Sequence, residues 1–255
     1  MRILLGAIAL IAFCMVHAIK MMRMYLIIMD QKVSFDRYVP AYLRTTLVNL
    51  IVPYKLGEIY RIGVFYRISG GFKTGFFSVL IDRFFDTLAL VMILLPYQMF
   101  ISRNITTPTV LLTVFEVVVL LAYRIFPPSY DFLNRYIITS KESKRSMMAL
   151  SVLEQLDDWY EYARGLVRGR YGILMLFSLA AWLLEIAGLA IFNRLWGYGF
   201  GVSDFGAYIE SIVSSSDYAT RKAYTAASVV VIAVFTVIFT LRYLLAKRKI
   251  RDIHK

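Results

Sequence analysis

Apolar residues fall in long runs along this chain, with short polar punctuation between them. Residues 3–19, ILLGAIALIAFCMVHAI, form the first run and are followed by the basic stretch KMMR at 20–23. Further runs cover 84–101, 108–126, 171–192 and 223–245. Each is near the roughly 20 residues that a helix needs to cross ~30 Å of hydrocarbon. The pattern predicts five membrane spans in an all-α, polytopic fold that forms one transmembrane domain over 1–255. A cleaved signal peptide is the competing reading of 3–19. The run instead continues into MYLII with no small-residue exit, so a retained span is expected.

The stretch 35–80 breaks this rhythm. It holds Pro40, Pro53, Gly57, Gly70, Gly71 and Gly75, and its apolar pieces are short. Irregular backbone at membrane depth is tolerated where protein buries it or where it lines a cavity. The sequence therefore predicts a broken-helix region, either two re-entrant half-helices or a hairpin of two spans near 41–54 and 58–72. Residues 145–168 space Met148, Leu150, Val152, Leu153, Leu156, Trp159, Tyr160, Ala163 and Leu166 against a charged remainder, which predicts an amphipathic helix, either lying at the cytoplasmic interface or packed in the cytoplasm against its own protein. Residues 200–216 read as a short interfacial or re-entrant helix on the outer side.

Charge adds orientation. The chain is 59% hydrophobic and 18% charged, with a formal net charge of +12. Its basic residues gather beside apolar runs, not in a polar domain, so they read as topology signals and anionic-lipid contacts; nucleic acid is not an expected partner. Arg135, Lys141, Lys144, Arg145, Arg164, Arg168 and Arg170 lie in 127–170, and the tail holds Lys247, Arg248, Lys249, Arg251 and Lys255. The positive-inside rule puts both segments in the cytoplasm. Counting back over five spans puts the N-terminus outside and KMMR inside. Cys14 is the single cysteine, and His17 and His254 are far apart, so no disulfide or metal cluster is expected.

Candidate chemistry sits where lipid disfavours charge. The segment TTLVNLIVPYKLGEIYRIGVFY carries Asn49, Lys55, Glu58 and Arg61 around Pro53, and FFSVLIDRFFDTLALVM carries Asp82, Arg83 and Asp86. Ionisable groups at membrane depth face a bundle interior or a wet cavity. Glu58 and Arg61 share a helical face, and a helix beginning near Pro53 presents free N–H groups to an anion. The group reads either as a phosphate pocket, with Asn49 and Lys55 at its rim, or as a structural ion pair beside a snorkelling lysine. Asp82, Arg83 and Asp86 read either as interfacial residues at the mouth of an apolar helix or as part of a buried network joining Arg61 to Glu58, Asp82 and Asp86, which would account for both sets of costly charges. Glu116 and Glu185 are isolated acids inside apolar runs, fit for helix-to-helix hydrogen bonding or proton coupling. The sequence has no Gly-rich nucleotide loop, HExxH or GxSxG in a plausible context, so no cofactor is expected.

Asn49, Pro53, Gly57-Glu58, Arg61 and the later Asp82-Arg83-Phe84-Phe85-Asp86 resemble the membrane-domain family of lysylphosphatidylglycerol synthase, whose pattern runs N…P…GE…R and then (E/D)R…D at the start of a span. Residues 178–212 resemble its later spans more weakly. A second helix-breaking motif of the type P…PGGxGxxE has no counterpart in IVSSSDYATRKAYTAASVV. These residues show no counterpart of the aminoacyl-transferase domain of the longer enzymes, so aminoacylation is not expected of them.

The resemblance implies a flippase-like multi-pass protein of the cell membrane. It would handle an anionic phospholipid or a polyprenyl-phosphate-linked envelope lipid through Asn49, Lys55, Glu58, Arg61, Asp82, Arg83 and Asp86. An envelope-biosynthesis protein or a second copy is the protein partner that this reading allows. The alternatives are a membrane-embedded transferase on a polyprenyl phosphate and a non-catalytic subunit of envelope lipid biosynthesis.

Overall fold

The computed structural model describes residues 2–52, 56–139, 144–195, 201, 204–206, 208 and 219–253. Among them the chain is helical almost throughout: α1 (Arg2–Ile28), α2 (Phe35–Ile51), α3 (Leu56–Ser69), α4 (Phe72–Tyr97), α5 (Thr107–Thr139), α6 (Lys144–Val167), α7 (Tyr171–Leu195) and α8 (Ala219–Ile253). Four described helices, α1, α5, α7 and α8, are long and apolar enough to cross a membrane. With α4, which has the length but carries Asp82, Arg83 and Asp86, they build a polytopic helical membrane protein.

Two boundaries differ from the sequence expectation. The first apolar run does not stop at KMMR. Helix α1 passes through Lys20 and Arg23 to Ile28, then closes in a 3-10 turn at Met29–Gln31 with Lys32 left-handed at φ 54°. The run expected over 84–101 belongs to α4, which begins at Phe72 and ends at Tyr97, followed by a π turn over Gln98–Ser102. In both cases charges that resemble a membrane edge find partners inside the bundle, so the helix continues through them. The helix expected over 200–216 lies largely outside the described residues.

The five long helices alternate in direction. Arg23 of α1 meets Asp82 of α4, and Gln31 just after α1 meets Thr74, so α1 and α4 are antiparallel. Lys20 meets Glu185, while Arg170, just before α7, donates to the Leu26 carbonyl at 2.8 Å; α1 and α7 are antiparallel too. Gln98 bonds to Thr106 across the α4–α5 turn, and Phe192 packs on Tyr224 where α7 gives way to α8. One core, around Met24, Ile27, Tyr38, Phe65 and Leu174, ties α1, α2, α3 and α7 together. A second, around Ala89, Leu90, Leu94, Trp182 and Leu189, joins α4 to α7. On α5 Thr109 and Glu116 are the buried residues, and Leu111, Val114, Phe115 and Val118 stand exposed, as befits a helix with lipid on most sides.

Helices α2 and α3, at 17 and 14 residues, are shorter than the ~20 residues a full crossing takes. They are held by close approach. A Cβ on Gly75 of α4 would stand 2.7 Å from the Ile62 carbonyl oxygen and the Tyr66 nitrogen of α3, so only glycine lets these backbones touch. Tyr38 of α2 donates its hydroxyl to the Met21 carbonyl of α1 at 2.6 Å. Helix α6 seats Trp159 on Phe77 with ring centroids 5.9 Å apart, and its Tyr162 hydroxyl bonds to Thr74 at 2.5 Å, placing it across the first turns of α4.

The glycine contact yields a paired prediction. Gly75→Ala should destabilise the protein by about 1–3 kcal/mol through overpacking against backbone that cannot yield. Gly63→Ala on the same short helix α3, where an added Cβ meets nothing within 4 Å, should be neutral or stabilising by about 0.5–1 kcal/mol. Thermal unfolding in detergent compares the two; equal melting temperatures would refute the close approach.

Candidate functional site

The charged side chains converge at one place, and the residue at its centre is one that looks in the sequence like a flank. Arg23 is buried to 1% exposure. Its Nε donates to Asp82 Oδ1 at 2.8 Å, and its Nη1 donates to Asp86 Oδ1 at 2.8 Å and to Ser178 Oγ at 2.9 Å. Asp82 and Asp86 lie one turn apart on α4, so a single guanidinium on α1 grips both. Ser178 donates its own proton to the Leu174 carbonyl of α7 at 2.8 Å. Trp182 Nε1 donates to the Asp86 carbonyl at 2.9 Å and joins α7 to the same turn of α4.

Around this centre stand the residues picked from the sequence. Arg61, at 3% side-chain exposure, places Nη1 3.4 Å from Asp82 Oδ2 and 3.9 Å from Glu58 Oε2. Its guanidinium carbon lies 5.2 Å from the centre of the Tyr42 ring, a cation–π contact that adds a second α2 tie. Arg83 Nη2 is 3.1 Å from Asp82 Oδ2, Nε is 3.4 Å from Glu58 Oε1, and Nη1 is 3.7 Å from Asp86 Oδ2. Asn49 Nδ2 donates to Glu58 Oε1 at 2.9 Å. The structure thus brings Asn49, Glu58, Arg61, Asp82, Arg83 and Asp86 together. Lys55, together with Pro53, lies outside the described residues.

Gly57 has a specific part in this arrangement. In the sequence it looks like a helix breaker, yet it lies inside α3 and is buried. A Cβ there would fall 1.9 Å from Asn49 Oδ1. Glycine therefore admits the Asn49 amide, which crosses from α2 to reach Glu58. Asn49, Gly57 and Glu58 work as one unit across the interruption between the two short helices.

Three guanidinium cations, Arg23, Arg61 and Arg83, face three carboxylates, Glu58, Asp82 and Asp86, so the described cluster carries no net formal charge. Balance of this kind offsets the desolvation of charges at membrane depth. Exposure is uneven: Arg23 and Arg61 are shut in, while the Arg83 side chain is 42% exposed. Some capacity is left over. Arg23 Nη2, Arg61 Nε and Glu58 Oε2 are buried and make no hydrogen bond.

The two isolated acids part company. Glu185 accepts from Lys20 Nζ at 2.5 Å, and that ammonium also lies 5.2 Å from the centre of the Trp182 ring. Glu116 is buried at 2% exposure, and neither of its carboxyl oxygens has a hydrogen-bond partner. It stands apart from the cluster. Sequence reasoning misses Lys20 and Arg23 as site residues because they imitate a membrane edge. The available signal is the MYLII run after them, which places both charges inside a continuous apolar helix, three apart and on one face.

Removal of the central cation should be costly. Arg23→Gln would leave Asp82 and Asp86 facing each other with reduced compensation, a loss of about 3–5 kcal/mol. Lys73→Gln breaks the partly exposed pair with Asp158 and should cost at most ~1 kcal/mol. Unfolding in detergent measures both; equal losses would show that the cluster contributes no more than a surface pair.

Comparison with known proteins identifies a family for the chain. No curated protein and no solved structure matches it. At the family level, residues 1–209 match the family described as the lysylphosphatidylglycerol synthase TM region. That match spans α1 to α7 and includes every helix that contributes a charge to the cluster, so the chain belongs to the lysylphosphatidylglycerol synthase TM-region family.

Proposed function

We propose that this protein is a flippase-like lipid transporter whose charged cluster receives the phosphate headgroup of an anionic phospholipid or of a polyprenyl-phosphate-linked envelope lipid. The observation that carries the reading is a charge-balanced cluster inside a membrane bundle with one half-exposed cation, Arg83. Arg83 is the group that meets the phosphate, since a guanidinium can present two parallel N–H donors to two oxygens. Lys55, next to Leu56 in the sequence, is the further cation proposed to act on the phosphate, as a point charge. Arg61 is shut in and stands behind Arg83, holding Asp82 and Glu58. Glu58, Asp82 and Asp86 hold the cations in place while the site is empty, and Asn49 fixes Glu58.

On this reading α2 and α3 form a re-entrant pair. Each is too short to cross, and together they carry Asn49 and Glu58 to the cluster. The match to a family named for a phospholipid-modifying enzyme supports lipid handling as the general task. The chain then sits in the membrane with its N-terminus outside, α6 at the cytoplasmic interface and its C-terminus inside. The basic residues of 127–170 and 247–255 support that orientation. Lys20 and Arg23 no longer count toward it, because their charges are spent on Glu185, Asp82 and Asp86.

Transport is tested by reconstitution into vesicles with labelled phosphatidylglycerol and, separately, a labelled polyprenyl phosphate. Translocation of at least one is expected. Arg83→Gln should cut the rate more than 10-fold with little change in melting temperature, and Arg61→Lys should cut it less. Absence of movement for both lipids would overturn the proposal, and conversion of a lipid acceptor to a new product would replace it with a transferase.

Orientation has its own test. In a Cys14→Ser background, cysteines introduced as Ser140→Cys and Ile250→Cys should react with a membrane-impermeant thiol reagent only after cells are opened. Labelling of either in intact cells would invert the topology.

A further inference from the structure

A cavity of about 150 Å³ lies between α1, α7 and α8, away from the charged cluster. Gly6 and Phe13 of α1, Gly188 and Phe192 of α7, and Tyr224 and Ala227 of α8 are among the residues around it. Helix α8 packs chiefly against α2 and meets α7 only near its start, which leaves the gap open. The glycines do not serve close helix packing. A Cβ on Gly6 would meet nothing within 4 Å, and one on Gly188 would find the Ala12 Cβ at an ordinary 3.7 Å. Their effect is to leave room.

The chemistry of the walls selects the occupant. The polar side chains around the cavity are Ser228, whose hydroxyl already donates to the Tyr224 carbonyl in its own helix at 2.7 Å, and Tyr224, whose ring packs edge-on against Phe13 and Phe192; the rest of the wall is aliphatic and aromatic. A resident water wants two to four polar partners, whereas an apolar cavity of ~150 Å³ stays dry and takes up a hydrocarbon the size of benzene. In a membrane bundle the hydrocarbon at hand is a lipid chain. One end of the cavity points along α1 toward the cluster. Phe13 packs on His17 with ring centroids 4.4 Å apart, Lys20 and Arg23 follow on the same face, and the rise from Phe13 to Arg23 is ~15 Å. A lipid whose phosphate lies at the cluster therefore has its chain within reach of this opening.

We infer that the cavity between α1, α7 and α8 seats a stretch of about six carbons from one hydrocarbon chain of the transported lipid while its headgroup is at the cluster. This rests on the lipid-handling reading, and it adds a chain-recognising subsite some distance from the headgroup. The seat lies in the half of the bundle that holds the start of α1 and the end of α7. A lipid drawn in from the opposite, cytoplasmic half would arrive chain first and keep its headgroup trailing at Arg83. Filling the seat should weaken capture of the lipid without disturbing the charges.

The test uses the full chain in lipid nanodiscs and two photoreactive probes, phosphatidylglycerol with a diazirine in one acyl chain and a polyprenyl phosphate with a diazirine near its end. After irradiation and digestion, mass spectrometry should place adducts from at least one probe within 6–13, 188–195 or 224–231. Gly6→Leu and Ala227→Leu, which fill the space, should each reduce those adducts at least five-fold with an unchanged or raised melting temperature. Adducts with the acyl probe alone assign the seat to a phospholipid; adducts with the prenyl probe alone assign it to an isoprenoid carrier. Persistence of both adducts and their sensitivity to Gly6→Leu in a preparation that translocates nothing would uphold the seat while overturning the transport reading. Adducts spread evenly over the lipid-facing side of α5 and unaffected by either substitution would overturn the seat itself.

Discussion

The Arg23 guanidinium, taken out of water in the last third of an apolar helix, is the constraint around which this bundle is arranged. An unpaired cation at that depth costs several kcal/mol or more. Arg23 escapes that cost by drawing two carboxylates from α4 and a hydroxyl from α7 onto one side chain. Because the partners come from separate helices, the pairing also sets register. With Arg23 opposite Asp82, Lys20 falls opposite Glu185, and Trp182 reaches the Asp86 carbonyl. Apolar packing in lipid lacks such specificity, since one leucine face resembles another and lipid tails compete for both. The charges supply the discrimination.

The second layer of the cluster depends on the first. Asp82 receives Arg23 on one oxygen and Arg61 and Arg83 on the other. It can accept three guanidinium groups because a carboxylate has about four lone-pair positions and no proton to donate. Through Arg61 the short α3 is bound to α4, and through Glu58 and Asn49 the tip of α2 is bound to α3. Two glycines make these polar contacts sterically possible, Gly57 beneath the Asn49 amide and Gly75 against the α3 backbone. Helices too short to cross are thus fixed by hydrogen bonds and close backbone contact, where longer ones rely on apolar area.

The helical membrane class and the convergence of Arg61 with Glu58, Asp82 and Asp86 were legible in the sequence, because each of those charges is conspicuous against an apolar background. Arg23 was not, for the opposite reason. A basic residue beyond a run of about 17 apolar ones looks like a membrane edge, and what reverses that reading is a pair of acids 59 and 63 residues away. Such pairing is a tertiary fact with no local signature. Gly57 has a reason beyond the break that it and Pro53 suggest, because an amide from another helix occupies the place of its side chain. The cavity between α1, α7 and α8 has no sequence signal at all, since it takes the folded helices to show that a Cβ on Gly6 would meet nothing within 4 Å and one on Gly188 the Ala12 Cβ at 3.7 Å.

A neutral cluster bears directly on how an anion would bind under the proposed function. Arg83 is already held by Glu58, Asp82 and Asp86 at 3.1–3.7 Å, so a phosphate at its exposed edge exchanges partners with them and does not meet a bare charge. Exchange moderates affinity, because each hydrogen bond that Arg83 makes to the headgroup weakens one that it makes to a carboxylate. Transport needs that moderation: a site must bind well enough to admit its cargo and weakly enough to release it. Arg23 and Arg61 are shut in and can remain fixed on Asp82 and Asp86 while Arg83 changes partners. Stability and turnover then fall to different cations of one network, the buried pair holding α1, α3 and α4 together and the half-exposed one meeting the lipid.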